Sequence, residues 1–290
     1  MNVVTPSYRP HCSSSSTLER KALTKQGYKC YHCRNCSKFF NERTLSPFNL
    51  LRYPSELIFK VVTWRLRYKL SLRDLSELLM NEGITLSHET VREWETKFAP
   101  VIEEELRTKR KGEATKSWYV DETLIPVKKE KHYYYRAIDN RGRLVATTFS
   151  KVRDLETAEN FFKKAVETIG HKPEKVTTDK EVCYPKAIDR VLGRTVEHRT
   201  IRYLNNRLEQ DHRGIKQRIK PMLGFKSAAS AARFTGAFDE LRSYFRVREF
   251  RNDIVTAMKR RVHIKGQFLR LRKQFLATKL IWKQSEMLLV

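Results

Sequence analysis

Asp121 stands in the middle of an apolar run, Ser117-Trp118-Tyr119-Val120-Asp121-Glu122-Thr123-Leu124-Ile125-Pro126-Val127, whose aromatic and β-branched residues read as a buried strand. An ionised carboxylate there needs a cation or hydrogen-bond donors to offset its desolvation. In a strongly basic chain such an acid is a candidate metal ligand; the alternative is an edge strand on which Asp121 faces water. Glu122, by the two-residue period of a strand, turns to the opposite face and is left out of the candidate site. A second chemical cluster lies near the N-terminus. Cys33-Arg34-Asn35-Cys36 is a knuckle that can fill two corners of a zinc tetrahedron, and Cys12, Cys30, His11 and His32 are within reach in sequence to complete it. The set Cys12, Cys30, Cys33 and Cys36 is a candidate Zn²⁺ site of irregular spacing, because Arg9 stands where a second knuckle would have cysteine. Its alternative is a metal-free ribbon with reduced thiols. Cys183, alone, reads as a small packed residue.

The elements that must position these groups follow from periodicity. From Pro54 and Ser55 a helix with Leu57, Ile58, Val61, Val62 and Leu66 on one face is expected. Ser71 with Asp74 forms a capping-box pattern before Leu72, Leu75, Leu78 and Leu79, and Gly83 ends that helix. Ser87 caps a third helix with Val91, Trp94 and Phe98 inward, which Pro100 is expected to close. Three short helices with a tight glycine turn before the last are the pattern of a DNA-binding helix-turn-helix, or of a generic helical bundle. His88, Glu89 and Arg92 lie where base edges would be read, His88 and Arg92 being the candidate contacts.

After the Asp121 strand come His132–Ile138, turn chemistry at Asp139-Asn140-Arg141-Gly142, and a strand Leu144–Ser150. A helix over Leu155–Ile169 and a strand Lys175–Thr178 ending on Asp179 follow. Next are a helix Pro185–Leu192, a strand Thr195–His198 and a helix Asn206–Lys220 carrying Glu209. Leu208, His212, Ile215 and Ile219 form its expected buried stripe, and Glu209, Arg213, Lys216 and Lys220 a neighbouring one. Asp211 and His212 are read as fixing the helix. This order is that of a ribonuclease-H-like fold, whose first and fourth strands adjoin at the sheet centre, so that acids on them and on a late helix can share divalent cations.

Those phrases together resemble a family. Trp118-Tyr119-Val120-Asp121-Glu122-Thr123, Tyr135-Arg136-Ala137-Ile138-Asp139, Thr177-Thr178-Asp179-Lys180 and Tyr203-Leu204-Asn205-Asn206-Arg207-Leu208-Glu209-Gln210-Asp211-His212-Arg213-Gly214-Ile215-Lys216 are similar to the DDE transposases of the bacterial insertion-sequence-six family. The resemblance continues through Pro221–Phe225 and Ser230–Arg233 and runs from about Asn41 to Arg246. It implies that Asp121, Asp179 and Glu209 are catalytic acids holding two Mg²⁺ (or Mn²⁺) ions, and that Lys216, with Arg213 and Lys220 beside it, contacts DNA. It further implies binding to an element's terminal inverted repeats and to target DNA, strand cleavage and transfer by replicative, cointegrate-forming transposition, and a homodimer or larger assembly. A structure-specific nuclease of the same fold and a non-catalytic DNA-binding regulator are the competing readings.

Composition sets the frame. Lys and Arg number 59 against 33 Asp and Glu, a formal charge of +26, which points to a polyanionic partner and foremost to nucleic acid. No apolar run approaches a membrane span and the N-terminus lacks a secretion-signal pattern, so a cytoplasmic, nucleoid-associated protein with no membrane partner is expected. The expected fold class is α/β: a zinc-ribbon-like segment at 1–45, an all-α helix-turn-helix domain at 46–100, a linker at 101–116, a ribonuclease-H-like domain with a mixed five-stranded sheet at 117–246, and a basic helical tail at 247–290. Lys259-Arg260-Arg261, Arg270 and Arg272-Lys273 alternate there with Phe268, Leu271 and Phe275, which by default is a solvated, partly packed helix.

Overall fold

A computed structural model describes residues 12, 16–179, 182–200, 206–247 and 255–277, the side chains of 206–211 excepted. The chain divides into two units, residues 1–60 with 268–290, and residues 61–267.

In the smaller unit, strands β1 (Thr17–Leu23), β2 (Lys29–Cys33) and β3 (Phe39–Asn41) form an antiparallel sheet in the order β1-β2-β3. Tyr31, Cys33 and Phe40 make its small core, with the Tyr31 and Phe40 rings stacked at 5.3 Å. Helix α1 (Ser55–Arg67) starts in this unit and α8 (Ala257–Ala277) ends in it. Phe275 of α8 meets Phe48 at 5.2 Å and Phe59 of α1 at 5.1 Å, and Leu271 and Phe275 are buried. The segment 268–277 of the expected solvated, partly packed tail is packed through Leu271 and Phe275.

The larger unit is built on a five-stranded sheet of order β6-β5-β4-β7-β8, from β4 (Ser117–Val127), β5 (Glu130–Asp139), β6 (Leu144–Ser150), β7 (Lys175–Thr178) and β8 (Glu197–Thr200). β4, β5 and β6 are an antiparallel meander, and β4–β7 and β7–β8 pair in parallel. Read by strand order in the sheet, third, second, first, fourth, fifth, this is the expected ribonuclease-H-like arrangement. The parallel pairs require crossovers, supplied by α4 (Leu155–Ile169) and α5 (Cys183–Val191). These bury Phe161, Phe162, Tyr184 and Ile188 on one sheet face against Trp118, Val120, Tyr135 and Ala137.

The other face carries α7 (Ala228–Phe245). Asp239 of α7 pairs with Arg136 of β5 at 2.9 Å and accepts a hydrogen bond from the Tyr134 hydroxyl at 2.6 Å, all three buried. Helix α3 (His88–Thr108) packs along α7, and α2 (Leu72–Asn81) packs on α3. The capping box is formed as expected: Asp74 N donates to Ser71 Oγ and Ser71 N to Asp74 Oδ2. Gly83 takes φ +76° at the helix end, where a left-handed residue is needed, and Ser87 Oγ accepts from Thr90 N. One expectation fails. Pro100 does not close the helix but lies inside α3, so residues 101–108 of the expected linker are helical. The physical reason is that Ile102 and Leu106 continue the buried stripe of Val91, Trp94 and Phe98, and burying them offsets the lost amide donor of proline.

Candidate active site

The parallel pairing of β4 and β7 sets Trp118 beside Val176 and Tyr119 beside Thr177. Asp121 therefore lies two residues further along β4, and Asp179 directly past the end of β7, so both acids emerge at the same end of the sheet centre. Carboxylate oxygens of Asp121, Glu122 and Asp179 all lie within 4.8 Å of one another. Carboxylates this close repel one another unless positive charge is supplied. An all-oxygen donor set of this kind fits a hard divalent cation.

Glu122 comes within reach of the two aspartates although strand alternation turns it to the opposite face. Strand alternation does separate the two neighbours: Asp121 lies opposite Arg136 of β5, on the α7 side, and Glu122 opposite Tyr135, on the α4–α5 side. Alternation governs the Cα–Cβ direction, however, and not where the tip of a glutamate comes to rest. Glu122 is only 6 % exposed, and two groups hold it: the Tyr184 hydroxyl of α5 donates to Oε2, and the Arg153 guanidinium pairs with Oε1. Burial, and next the charge of Glu122, raises the Tyr184 hydroxyl well above its usual pKa, which keeps it a donor. Arg153 also reaches Asp179, at 3.8 Å, and its guanidinium carbon lies 5.9 Å from the Tyr133 ring centroid. The amide of Glu122 donates to Asp121 Oδ1 at 2.9 Å.

Helix α6 (Asn206–Ile219) brings the remaining groups. It packs on β4, and buried His212 places Nδ1 3.8 Å from Asp121 Oδ2. Ile215 and Ile219 share its buried side, while Arg213, Lys216 and Lys220 are exposed. Its C-terminal half is fixed by buried Arg218, which donates to Arg65 O at 2.7 Å, and by Arg242 of α7, which lies so close to Gly214 that a Cβ there would meet it at 2.3 Å. Glu209 belongs to α6, one turn before His212; its side chain, with those of Leu208 and Asp211, lies outside the described residues.

His88 and Arg92, at the start of α3, are exposed, and both pair with Glu89, at 3.2 Å and 2.7 Å. In the smaller unit the thiols of Cys12, Cys33 and Cys36 lie within 4.8 Å of one another, Cys12 and Cys33 at 3.4 Å. The Cys33 thiol is lowered to about 7, first by the Cys36 amide, then by that of Asn35 and the neighbouring thiols. Cys30 does not join them. It is three residues before Cys33 on β2 and so faces the other side of the strand, with its Sγ 4.0 Å from Tyr28 O. His32, also on that side, lies against Phe39 at 4.7 Å.

The sequence reading named Asp121 and Asp179, which the structure brings together, left out Glu122, which lies beside them, and did not name Tyr184 or Arg153, which surround it. For Arg153 the signal available was its place just before Asp154, whose Oδ1 caps α4 by accepting from Thr157 N at 2.8 Å. A cap fixes where the helix starts, and so the backbone beside Arg153, but not the rotamer of that side chain.

Residues 115–248 match a family described as a DDE domain. A transposase for the insertion sequence-like element IS431mec of Staphylococcus aureus is 38% identical over 175 residues, covering 59% of this chain and 77% of that protein. The transposase of insertion sequence element IS257 in transposon Tn4003, also from Staphylococcus aureus, matches to the same extent, 38% over 175 residues with 59% and 77% covered. Among solved structures, the HTLV-2 integrase catalytic core domain in complex with magnesium (trimeric form) is 20% identical with a TM-score of 0.33, over 43% of this chain and 87% of that one.

Proposed function

Because the chain belongs to the DDE transposases of the bacterial insertion-sequence-six family, we propose that it binds its element's terminal inverted repeats and cuts and joins DNA strands where Asp121 and Asp179 converge. The observation that carries this reading is the convergence of those carboxylates at one end of the β4–β7 pair. Asp121, Asp179 and Glu209 are the catalytic acids and would hold two Mg²⁺ or Mn²⁺ ions. When bound, such ions activate the attacking oxygen and stabilise the leaving one.

The chain's own groups supply the rest. His212, beside Asp121, and the Glu122 amide, donating to Asp121 Oδ1, hold that carboxylate in one orientation. Tyr184 and Arg153 offset the cost of burying Glu122. Lys216, Arg213 and Lys220 lie exposed on the helix that carries Glu209, so DNA phosphates contacted by them lie along the same helix as the catalytic glutamate. His88 and Arg92 of α3 read bases in the major groove after exchanging Glu89 for DNA. The reaction fuses donor and target DNA as a cointegrate, and a homodimer or larger assembly holds the two element ends. Cys12, Cys33 and Cys36, without Cys30, would hold Zn²⁺ as thiolates. The protein works in the cytoplasm at the nucleoid; no described helix is long and apolar enough to cross a membrane.

Incubating the full chain with a labelled element-end duplex and Mg²⁺ tests the catalytic assignment. Nicking at the end is expected for the wild type, and a loss of about a hundredfold or more for Asp121→Asn and Glu209→Gln. Wild-type nicking by either variant would remove that residue from the mechanism.

A further inference from the structure

Arg153 sits where positive charge is most needed. Its guanidinium pairs with Glu122 Oε1 and lies 3.8 Å from Asp179 Oδ2, so one cation bridges two of the three clustered acids. Its position is built, not incidental: the Tyr133 ring lies under it, and the Asp154 cap fixes the adjoining turn at the start of α4. Glu122 is almost fully buried and Asp179 about one-third exposed, so the guanidinium joins a permanently buried acid to one open to solvent.

We propose that Arg153 is a resident counter-ion of the acid cluster, holding it together while no divalent ion is bound and releasing Asp179 as ions enter. The inference rests on the metal-site reading above and extends it. Three carboxylates within 4.8 Å repel one another, and the guanidinium relieves that repulsion. A divalent ion arriving at Asp121 and Asp179 meets a positive charge already in place, so its binding is weakened. Arg153 therefore sets the metal affinity of the protein, making the DNA-free site a weak one. Glu122, which keeps its Tyr184 donor, remains the anchor of the guanidinium when Asp179 turns to metal. Arg153 is a positioning residue in this scheme and transfers nothing.

The test is Mn²⁺ binding to the full-length, DNA-free protein, read from the free-ion electron paramagnetic resonance signal. Arg153→Gln, which removes the charge and keeps a donor, is expected to lower the Mn²⁺ dissociation constant by about fivefold or more, the scale of one partly screened charge a few ångströms from the ion. Arg153→Lys keeps the charge and is expected to stay within about twofold of wild type. Unchanged or weaker Mn²⁺ binding by Arg153→Gln would overturn the proposal. Adding Asp121→Asn to each background is expected to abolish the bound fraction; binding that survives it would bring down the metal-site reading itself, independently of Arg153. Should Arg153→Gln fail to fold, the Arg153 Nε–H resonance of the wild type, assigned by its absence from Arg153→Lys, decides. It is expected to shift on Mg²⁺ addition, and a fixed resonance would overturn the proposal.

Discussion

Burial along β4 changes parity at its two acids: Trp118 and Val120 are buried on one phase, Thr123, Ile125 and Val127 on the other, with Asp121 and Glu122 between. The acids thus occupy the point where neither sheet face is fully covered by apolar groups, which leaves room for polar partners from three other elements. Glu122 depends on those partners. Tyr184→Phe removes one donor from a buried carboxylate and is expected to cost about 1–3 kcal/mol, measured by urea unfolding at neutral pH. Unchanged stability would mean that Glu122 finds another donor. At this scale the sequence was only partly legible. Asp121 could be suspected from one strand alone, because a carboxylate in an apolar run demands an explanation. The Glu122 tip, the Tyr184 donor and the Arg153 guanidinium come from residues up to 62 positions apart, and alternation carries no information about such meetings.

The elements themselves were more readable, since hydrophobic period and capping are local. The capping box at Ser71, the glycine stop at Gly83 and the cap at Ser87 lie where their residue types placed them. Proline is a local signal and the packing that overrides it is not: α3 packs along α7, more than a hundred residues later, and keeps Ile102 and Leu106 buried past Pro100. Two predictions test this α3–α7 seam. Arg110, just past α3, binds Glu240 of α7 through two hydrogen bonds of 2.8 and 2.6 Å, and both are buried. Arg110→Ala leaves that carboxylate without its cation and is expected to cost about 3–5 kcal/mol by urea unfolding. Glu103 lies against Gly236, and burial raises its carboxyl above the usual value, Lys164 opposing only in part. A raised folded pKa means stability that is fully present below the unfolded value and lost as pH rises through the folded one. Glu103→Gln is therefore expected to be more stable than wild type at pH 8, with the difference vanishing on acidification below the ordinary carboxylate range. An equal difference at both pH values would show that packing, not ionisation, is responsible.

For the whole molecule, a formal charge of +26 makes attraction to DNA strong, nonspecific and salt-dependent, so specificity must come from a few side chains. Arg92→Ala is expected to weaken binding to element-end DNA by about 1–3 kcal/mol at fixed salt and to leave binding to random duplex nearly unchanged, as read from fluorescence anisotropy. Equal loss on both would make Arg92 a phosphate contact. The central claim, that Asp121 and Asp179 converge to join DNA strands, is tested most directly by strand transfer. A pre-cut element end with a free 3′-hydroxyl is supplied with supercoiled target plasmid and Mg²⁺, and covalently joined product is counted. The wild-type protein is expected to form it and Asp179→Asn to form at least about a hundredfold less. Joining by Asp179→Asn at the wild-type rate, or a wild-type protein that only degrades the end, would contradict the account.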